Sequence, residues 1–467
     1  MRIRNWITAC QQPHKGLNRY LPHFLVLVTY LLSSARLFLL ISRYSVNILA
    51  WDQWDIDEAT LFQHHSLWEM FCWQNGPHRQ GLGALFQKLI DPRIHWNSRY
   101  EAFAIGGIIF VAAVLALLLK IRLYGAIGYS DVLIPLLFLT PLQYETLTAA
   151  PNPAHGPLPL LLTVLYCHCW LIPSCRWKYI CVLLTNFSLI YTGFGIFIGF
   201  ITPGLLALDY YANTRHPGSR YRWWSFAALS ISTVSLASFF VRYKFHAAAD
   251  CFSSVPKNPE DYLRFVAIMF AHVAGLRIPN PAIATFVGSI VLLWLLAAAS
   301  LAVRRLLAQG SDTWHSDAAI AALLAFSAAF CLTTAYGRLC LGLQYAASSR
   351  YTEYVVLGFF GLYLSSLSAS SRNLRNFLIL VFLVLSLLSS HRLNRIDAGA
   401  LRGISDGKRA WRECYLARHD IQECDTLTHF QIYPEPREIH MQEKLDFLES
   451  NHLNLYDKAP PDADSGP

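Results

Sequence analysis

Apolar runs of roughly 20 residues recur along most of the chain, and they constrain its fold more than any other feature. A helix needs about 20 apolar residues to cross the hydrocarbon core of a bilayer. Only 15% of the residues are charged, whereas soluble domains carry about a quarter. A membrane β-barrel would instead show short segments of alternating hydrophobicity. The sequence therefore predicts an all-α polytopic membrane protein.

The distribution of basic residues sets the predicted orientation. Lysines and arginines cluster in short segments between apolar runs, as in cytoplasmic loops, so the net charge of +8 does not indicate nucleic-acid binding. Basic residues and no acid precede the first run, which places the N-terminus in the cytoplasm and, after eleven spans, the C-terminus outside. The predicted spans are 22–42, 102–119, 130–148, 157–173, 179–191, 194–211, 224–241, 282–303, 317–336, 352–368 and 376–390.

Outside the predicted spans, polar residues concentrate in two long parts of the chain. We predict a transmembrane domain, 1–391, with a large first periplasmic loop, 43–101, and a small periplasmic C-terminal region, 392–467. Residues 260–275 are expected to form an amphipathic helix on the outer membrane surface. The C-terminal region contains helix-like stretches at 405–423 and 437–450, and its final residues have a composition typical of disorder.

Two cysteines of the C-terminal region, Cys414 and Cys424, would lie in an oxidising compartment. A disulfide between them is expected there. The alternative is a pair of free thiols in a small buried cluster.

The segment WDQWDIDE, 51–58, places four acids directly after the first apolar run. A carboxylate at a membrane surface beside tryptophans has a raised pKa, which suits a general base for an alcohol. Asp52 and Asp55 would share one face of a helical turn, and the tryptophans would share an apolar face suited to the membrane interface. The alternative is a solvated acidic turn that caps the next helix, which we prefer for Asp57 and Glu58.

Two other polar groups occur on the predicted outer face. His78 and Arg79 follow an Asn-Gly-Pro turn, and the planar fork of an arginine suits a phosphate. An ordinary loop pair neutralised by nearby acids is the alternative. Gln143 and Glu145 lie at the outer end of the predicted span 130–148, where an acid is a functional candidate. Capping of the helix end is the alternative.

Arginines at 338 and 350 flank the loop between the predicted spans 317–336 and 352–368, together with Tyr351. Their outer position breaks the positive-inside pattern. Binding of an anionic lipid head group would explain them, and simple snorkelling to the head-group region is the alternative.

These acids and arginines converge on one membrane face, which suits one reaction in particular. Arginines would hold the phosphate of a lipid-linked sugar and stabilise the charge that grows on it as it leaves. A carboxylate would remove the proton of an acceptor hydroxyl. Nucleotide-sugar donors are absent outside the cell, so a lipid phosphate is the economical donor.

A series of short motifs follows the same order along most of the chain. They are WDQWD at 51–55, PHR at 77–79, QYE at 143–145, GR at 337–338, SRYT at 349–352 and YPEP at 433–436. In order and spacing they resemble bacterial members of the GT-C glycosyltransferases, integral membrane enzymes that use polyprenyl-phosphate sugars. The chain departs from that pattern at Gly76-Pro77, where the pattern has Asn-Glu, and in QYET, which replaces QWEN.

The resemblance implies a GT-C-like bundle and an inverting transferase in a bacterial inner membrane, with its active site facing the periplasm. Asp55, and after it Asp52, would be the catalytic base. The implied donor-phosphate ligands are His78, Arg79, Arg338, Arg350 and Tyr351, and the implied sugar or acceptor ligands are Gln143, Glu145, Trp54 and Glu58. Acceptors in this class include lipids, glycans and proteins, and arabinofuranose transfer to a pilin is one case.

Carboxylates also suit Mg²⁺ or Mn²⁺, so the sequence leaves a divalent cation open. Other functions fit less well. A lipid or glycan transporter would carry charge at mid-membrane, with repeats and broken helices. An O-antigen ligase or polymerase would have its large polar loop late in the chain. A scaffold would give no reason for acids and arginines to converge.

Overall fold

The computed structural model describes residues 20–63, 65–173, 175–214, 221–246, 249, 251–252, 258–275, 281–308, 313–391, 393 and 395–457. Most of these residues are helical. The strands described are β1 (Gln74–Asn75) and β2 (His78–Arg79), which pair antiparallel as a small hairpin. The all-α class is therefore confirmed.

The helices follow one another along the whole described chain. They are α1 (Leu21–Tyr44), α2 (Asp52–Asp57), α3 (Leu67–Cys72), α4 (Gly81–Ile90), α5 (Ser98–Tyr124), α6 (Leu133–Phe138), α7 (Pro157–Trp170), α8 (Arg176–Ile190), α9 (Ile196–Thr214), α10 (Arg222–Phe239), α11 (Pro259–Val273), α12 (Pro281–Leu307), α13 (Trp314–Arg338), α14 (Thr352–Leu367), α15 (Arg372–His391), α16 (Arg395–Arg418), α17 (Ile421–Thr428) and α18 (Met441–Ser450). Short π-helices span Glu58–Phe62 and Glu145–Ala149, and 3-10 turns span Asp91–Ile94, Tyr129–Val132, Pro141–Gln143, Leu339–Leu341, Leu343–Ala347, Ser349–Tyr351 and Asn454–Tyr456.

Four described helices are long and apolar enough to cross a membrane. They are α1, α5, α12 and α13, the last continuing to Leu341. These helices fit a membrane protein, while the count of eleven spans and the orientation stay predictions. The basic residues of 1–19, on which the predicted orientation depends, lie outside the described residues.

The prediction of one continuous helix over 130–148 is wrong. The 3-10 turn Tyr129–Val132 leads into α6, which ends at Phe138. The chain then continues as a 3-10 turn from Pro141 and a π-helix from Glu145. Thr140, directly before Pro141, is extended with ψ of 140°, because a residue before proline avoids the helical region. The break turns Gln143 and Glu145 from helix-end residues into parts of an irregular segment.

The predicted surface helix at 260–275 exists as α11, but its location was wrong. All residues from Phe265 to Val273 are buried, so the second half of α11 packs inside the bundle. It lies against α12, where a Cβ added at Gly288 would come 1.7 Å from the Ala267 carbonyl oxygen. The apolar face of α11 therefore packs against α12 at this glycine and does not lie on the membrane surface.

The C-terminal helices α16 to α18 fold back onto the loop that follows α1. We call the apolar core between them the tail cluster. Its buried residues are Val46, Ile48, Leu49, Ala50, Trp54 and Leu61 from the loop and Trp411, Tyr415, Cys424, Ile432, Met441, Leu445, Leu448 and Leu455 from the tail. The tail therefore packs directly on the segment WDQWDIDE.

Two disulfides tie segments of the predicted outer face. The expected bond between Cys414 and Cys424 is confirmed and joins α16 to α17. A second bond, Cys251–Cys340, was not predicted. It links the segment before α11 to the turn that follows α13, and so fixes the neighbourhood of Arg338.

The second disulfide leads to a direct chemical prediction. In unreduced protein denatured with an alkylating agent, peptide mapping should recover Cys251 and Cys340 as one cross-linked peptide pair. Cys167 and Cys331, which are buried free thiols, should be alkylated in the same sample and serve as the control. Alkylation of Cys251 and Cys340 without prior reduction would contradict this pairing.

Candidate functional site

Two cavities meet beside the segment WDQWDIDE. One, the apolar cavity, has a volume of about 330 Å³ and is walled mainly by aromatic rings. The other, the polar cavity, has a volume of about 360 Å³ and is walled by carboxylates and small residues. Asp52, His155 and Arg350 line both. An apolar compartment and a polar compartment thus share one charged junction.

The apolar cavity runs between helices of the bundle. Its rings come from Phe194, Phe197, Phe200, Phe239, Phe240, Tyr243, Phe245, Phe252, Phe330, Tyr336, Tyr351 and Tyr354, and its charged or polar side chains include His78, Arg338 and Arg350. The carboxylates of the described residues form no ion pair with Arg338, whereas Arg350 lies 3.8 Å from Glu145. Two guanidinium groups therefore face a cavity whose walls are mainly apolar.

The polar cavity contains three acids. It is lined by Trp51, Asp52, Asp55, Glu145, Thr146, Ala149, Ala150, His155, Arg350, Tyr433 and Pro434. The prediction that Asp52 and Asp55 share a face is confirmed, since both lie in the first turn of α2 and both reach this cavity.

The start of α2 is held in an unusual conformation by the tail. Trp51, directly before the helix, has φ of +52° and ψ of −125°, which is rare and strained for a residue with a large side chain. Its backbone N–H donates to the Ile432 carbonyl at 2.9 Å and its indole N–H to the Gln431 carbonyl at 3.2 Å. These bonds fix where α2 begins and so aim Asp52 and Asp55 into the cavity.

Asp55 has the environment expected of a base. Burial raises the pKa of its carboxyl, and the charges of Asp52 and Glu58 act in the same direction. A hydrogen bond from Tyr433 and the charge of Lys444 oppose the shift. The carboxylate is thus more basic than an ordinary aspartate, while Tyr433 favours its ionised form.

His155 was missed by the sequence analysis. Its Nδ1 lies 4.0 Å from Asp52 Oδ2, and its Nε2 contacts the Nε2 of His78. Burial, with the nearby charges of Arg350 and Arg338, lowers the pKa of His155 to about 3, so its imidazole is neutral near pH 7. The only sequence signal for His155 is its position as a single histidine in the Pro-Ala-His-Gly stretch of a predicted outer loop.

The loop that carries His155 is fixed by close backbone contact. Gly193, in the turn before α9, has φ of +56°, and a Cβ there would come 2.0 Å from the Ala154 carbonyl oxygen. The N–H of Gly193 also donates to the Arg79 carbonyl at 2.8 Å. Only glycine allows this turn to pack against both the hairpin and the His155 loop.

Glu145 lines the polar cavity, but its contacts are mainly structural. Its Oε2 accepts hydrogen bonds from the Arg350 backbone N–H and the Ser348 hydroxyl, both at 2.8 Å. Its own N–H donates to the Ser349 hydroxyl at 3.0 Å. Glu145 therefore positions the turn that presents Arg350, which the prediction of sugar or acceptor binding did not foresee.

Two predicted ligands face away from both cavities. The guanidinium of buried Arg79 donates to backbone carbonyls of Cys72, Phe239 and Val241. Those bonds occupy the group that was predicted to bind phosphate. Gln143 is 1% exposed and donates to the Phe138 carbonyl at 2.9 Å. Neither side chain lines a cavity, so we leave both out of the candidate site.

The interpretation of WDQWDIDE also needs correction outside its two central aspartates. Trp54 is fully buried in the tail cluster and is neither a membrane anchor nor a sugar ligand. Glu58 pairs with Lys444 of the tail at 2.6 Å and lines neither cavity, and its predicted ligand role stays a prediction. Asp57 ends α2 and directly precedes the π-helix Glu58–Phe62, as expected for a residue near a helix start, but it is buried rather than solvated.

The predicted phosphate ligands that remain are His78, Arg338, Arg350 and Tyr351, which all line the apolar cavity. The Nε2 atom of His78 contacts the Nε2 atom of His155, so His78 shares that nitrogen with a neighbouring histidine. Within the described ranges, no group of three His, Cys, Asp or Glu side chains is arranged to hold a metal ion, and the divalent cation stays a prediction. No protein-family model and no curated protein sequence matches this chain.

Proposed function

We propose that this protein is a GT-C-type inverting glycosyltransferase that moves a sugar from a polyprenyl phosphate to an acceptor hydroxyl. The observation that carries the proposal is the meeting of the apolar and polar cavities at Asp52, His155 and Arg350. A lipid-linked sugar has the same division, with an apolar chain, a charged phosphate and a polar sugar. We further propose that the site faces the periplasm of a bacterial inner membrane.

The apolar cavity would take the polyprenyl chain next to the phosphate. Its walls come from α9, α10 and α13, and aromatic rings make large contact areas with an isoprenoid chain. Arg338 and Arg350 would then bind the phosphate, where a planar guanidinium can form two parallel hydrogen bonds. Both guanidinium groups are half-buried beside apolar walls, and the reduced access of water strengthens that interaction.

The polar cavity would take the sugar and the acceptor hydroxyl. Asp55 accepts the hydroxyl proton while the acceptor oxygen bonds to the anomeric carbon. The bond from that carbon to the phosphate oxygen breaks, and the electron pair leaves with the phosphate, which the arginines stabilise. Asp52, at the junction, would face the sugar from the donor side.

Mutation can test whether His155 belongs to the site. Replacing His155 by alanine should lower the turnover number by roughly 10- to 100-fold, since His155 packs between His78 and Asp52 at the junction of the cavities and a small misplacement of catalytic groups can cost about 10²-fold. The measurement is initial transfer rate at saturating donor. The control is His95→Ala, a histidine of the first loop whose side chain is 60% exposed. Equal rates for the two variants would remove His155 from the site.

The experiment that tests the function uses the full chain reconstituted in liposomes with radiolabelled polyprenyl-phosphate sugars and a periplasmic extract as acceptor. Transfer moves the label from the lipid fraction to a glycan or protein fraction, a pilin being one candidate. A transporter leaves the label on the lipid. Label that stays on the lipid with every donor of the panel would refute the proposal.

A further inference from the structure

We propose that Tyr433, supplied by the C-terminal tail, is a positioning residue for Asp55, so that the tail completes the acceptor side of the site. This inference rests on the proposed function for its catalytic consequence. Its structural part, the coupling between Tyr433 and Asp55, can be measured without any transfer assay.

The contact itself joins two segments that are far apart in sequence. The Tyr433 hydroxyl donates to Asp55 Oδ1 at 3.0 Å. Tyr433 and its neighbour Pro434 line the polar cavity opposite α2. The tail thus provides both a wall of the cavity and a hydrogen-bond donor to Asp55.

The residues before Tyr433 are bonded to the start of α2, which fixes the backbone of Tyr433 relative to Asp55. Trp51 bonds to the carbonyls of Gln431 and Ile432, and its ring stacks on Phe430 with centroids 6.2 Å apart. Ile432 is fully buried in the tail cluster. Three successive tail residues therefore hold Tyr433 in register with the aspartate.

Two lysines attach the tail to opposite sides of the same cavity. Lys444 pairs with Glu58, just after α2, at 2.6 Å. Lys408, which is buried, donates to the Ala149 carbonyl at 2.9 Å on the segment that carries Glu145. The tail is therefore held by polar contacts to two segments beside the cavity, in addition to the apolar packing of the tail cluster.

Several charged or titratable groups surround Asp55, and the Tyr433 hydroxyl donates a hydrogen bond to it. Asp52 and Glu58 come from its own segment, Lys444 comes from α18, and Glu145, Arg350 and His155 line the same cavity. A hydroxyl that donates to a carboxylate stabilises its ionised form and fixes its orientation. Without that hydroxyl, burial and the neighbouring acids act with less opposition, so the pKa of Asp55 rises.

The test compares Tyr433→Phe with wild type and with Tyr415→Phe in the full chain. Tyr415 lies in the same tail cluster and its hydroxyl accepts from Gln442, away from both cavities. Carboxyl labelling with a water-soluble carbodiimide and glycine ethyl ester, followed by peptide mass spectrometry over a pH series, gives the labelling midpoint of Asp55. Transfer rates over the same pH series give the acidic limb of kcat/KM.

In Tyr433→Phe the Asp55 midpoint and the acidic limb should both move to higher pH by about one unit, as expected for loss of a hydrogen bond to a charged group. At pH values below its acidic limb, Tyr433→Phe should have a kcat/KM about tenfold lower than wild type at the same pH, with the KM for the donor unchanged. Tyr415→Phe should match wild type in both measurements. An unmoved Asp55 midpoint in Tyr433→Phe overturns the inference. A moved midpoint without transfer by any of the three proteins supports the Tyr433–Asp55 coupling and refutes the proposed function instead.

Discussion

Replacing Asp55 by asparagine should lower the turnover number for sugar transfer by about 10²- to 10⁴-fold, the range that a general base contributes. The amide keeps the size of the side chain and can still accept a hydrogen bond from Tyr433, but it cannot take the proton of the acceptor hydroxyl. The KM for the donor should change little, since the arginines that bind phosphate are untouched. Asp52→Asn should cost less, because Asp52 would orient the sugar rather than accept the proton.

The matched control for Asp55→Asn is Asp406→Asn, at a carboxylate of α16 whose side chain is 71% exposed. Thermal unfolding and the Cys414–Cys424 disulfide report whether each variant is folded. Wild-type turnover by folded Asp55→Asn would exclude Asp55 as the base. Because burial raises the pKa of Asp55, the acidic limb of wild-type kcat/KM should lie above the ordinary aspartate range, with activity lost as pH falls through it.

The second large effect is expected at Arg350. Its replacement by glutamine should lower kcat/KM by about 10²- to 10³-fold, the cost of removing one donor that stabilises developing negative charge. Arg350→Lys should recover only part of this loss, because an ammonium keeps the charge but lacks the planar fork. Steady-state kinetics with varied donor concentration separates the change in KM from the change in kcat.

Arg264→Gln is the control for the arginine variants, since Arg264 forms exposed ion pairs with Glu260 and Asp261 on α11. Glu145→Gln adds a second comparison. Glu145 holds the backbone N–H of Arg350, so its amide should weaken donor use less than Arg350→Gln does. Full activity of Arg350→Gln would mean that the phosphate is bound elsewhere.

Hydrophobic periodicity predicted most helices to within a few residues because a membrane-length apolar run has few alternatives to a helix. It failed where local backbone chemistry prevailed. The proline at 141 interrupts an apolar run that otherwise has the length of a span. Phe265 to Val273 are buried against a glycine of α12, and no pattern within α11 shows that partner.

The candidate site was predictable in its acids and only partly in its partners. Asp52 and Asp55 could be found because three-residue spacing puts them on one helical face. Trp54 was misread because a tryptophan at a membrane surface and one beneath a folded tail have the same sequence signature. Arg79 was misread because the sequence does not show which backbone carbonyls end near a guanidinium.

The contacts that complete the site link residues hundreds of positions apart. Tyr433 meets Asp55, and His155 meets both Asp52 and His78. Each pair results from tertiary packing, in which local patterns carry no information about partners. The tail in particular was predicted as a separate soluble region, whereas it packs against the first loop and forms part of the polar cavity.

In the proposed function a polyprenyl phosphate lies with its chain in the apolar cavity and its phosphate at Arg338 and Arg350. The most direct measurement is photo-crosslinking of the reconstituted protein with an undecaprenyl phosphate that carries a diazirine close to the phosphate. The predicted result is labelling of inward-facing cavity residues such as Phe194, Phe330 and Tyr354, lost in Arg338→Gln/Arg350→Gln. Labelling confined to outward-facing side chains such as Phe286 and Leu293, and equal in the double variant, would contradict the claim.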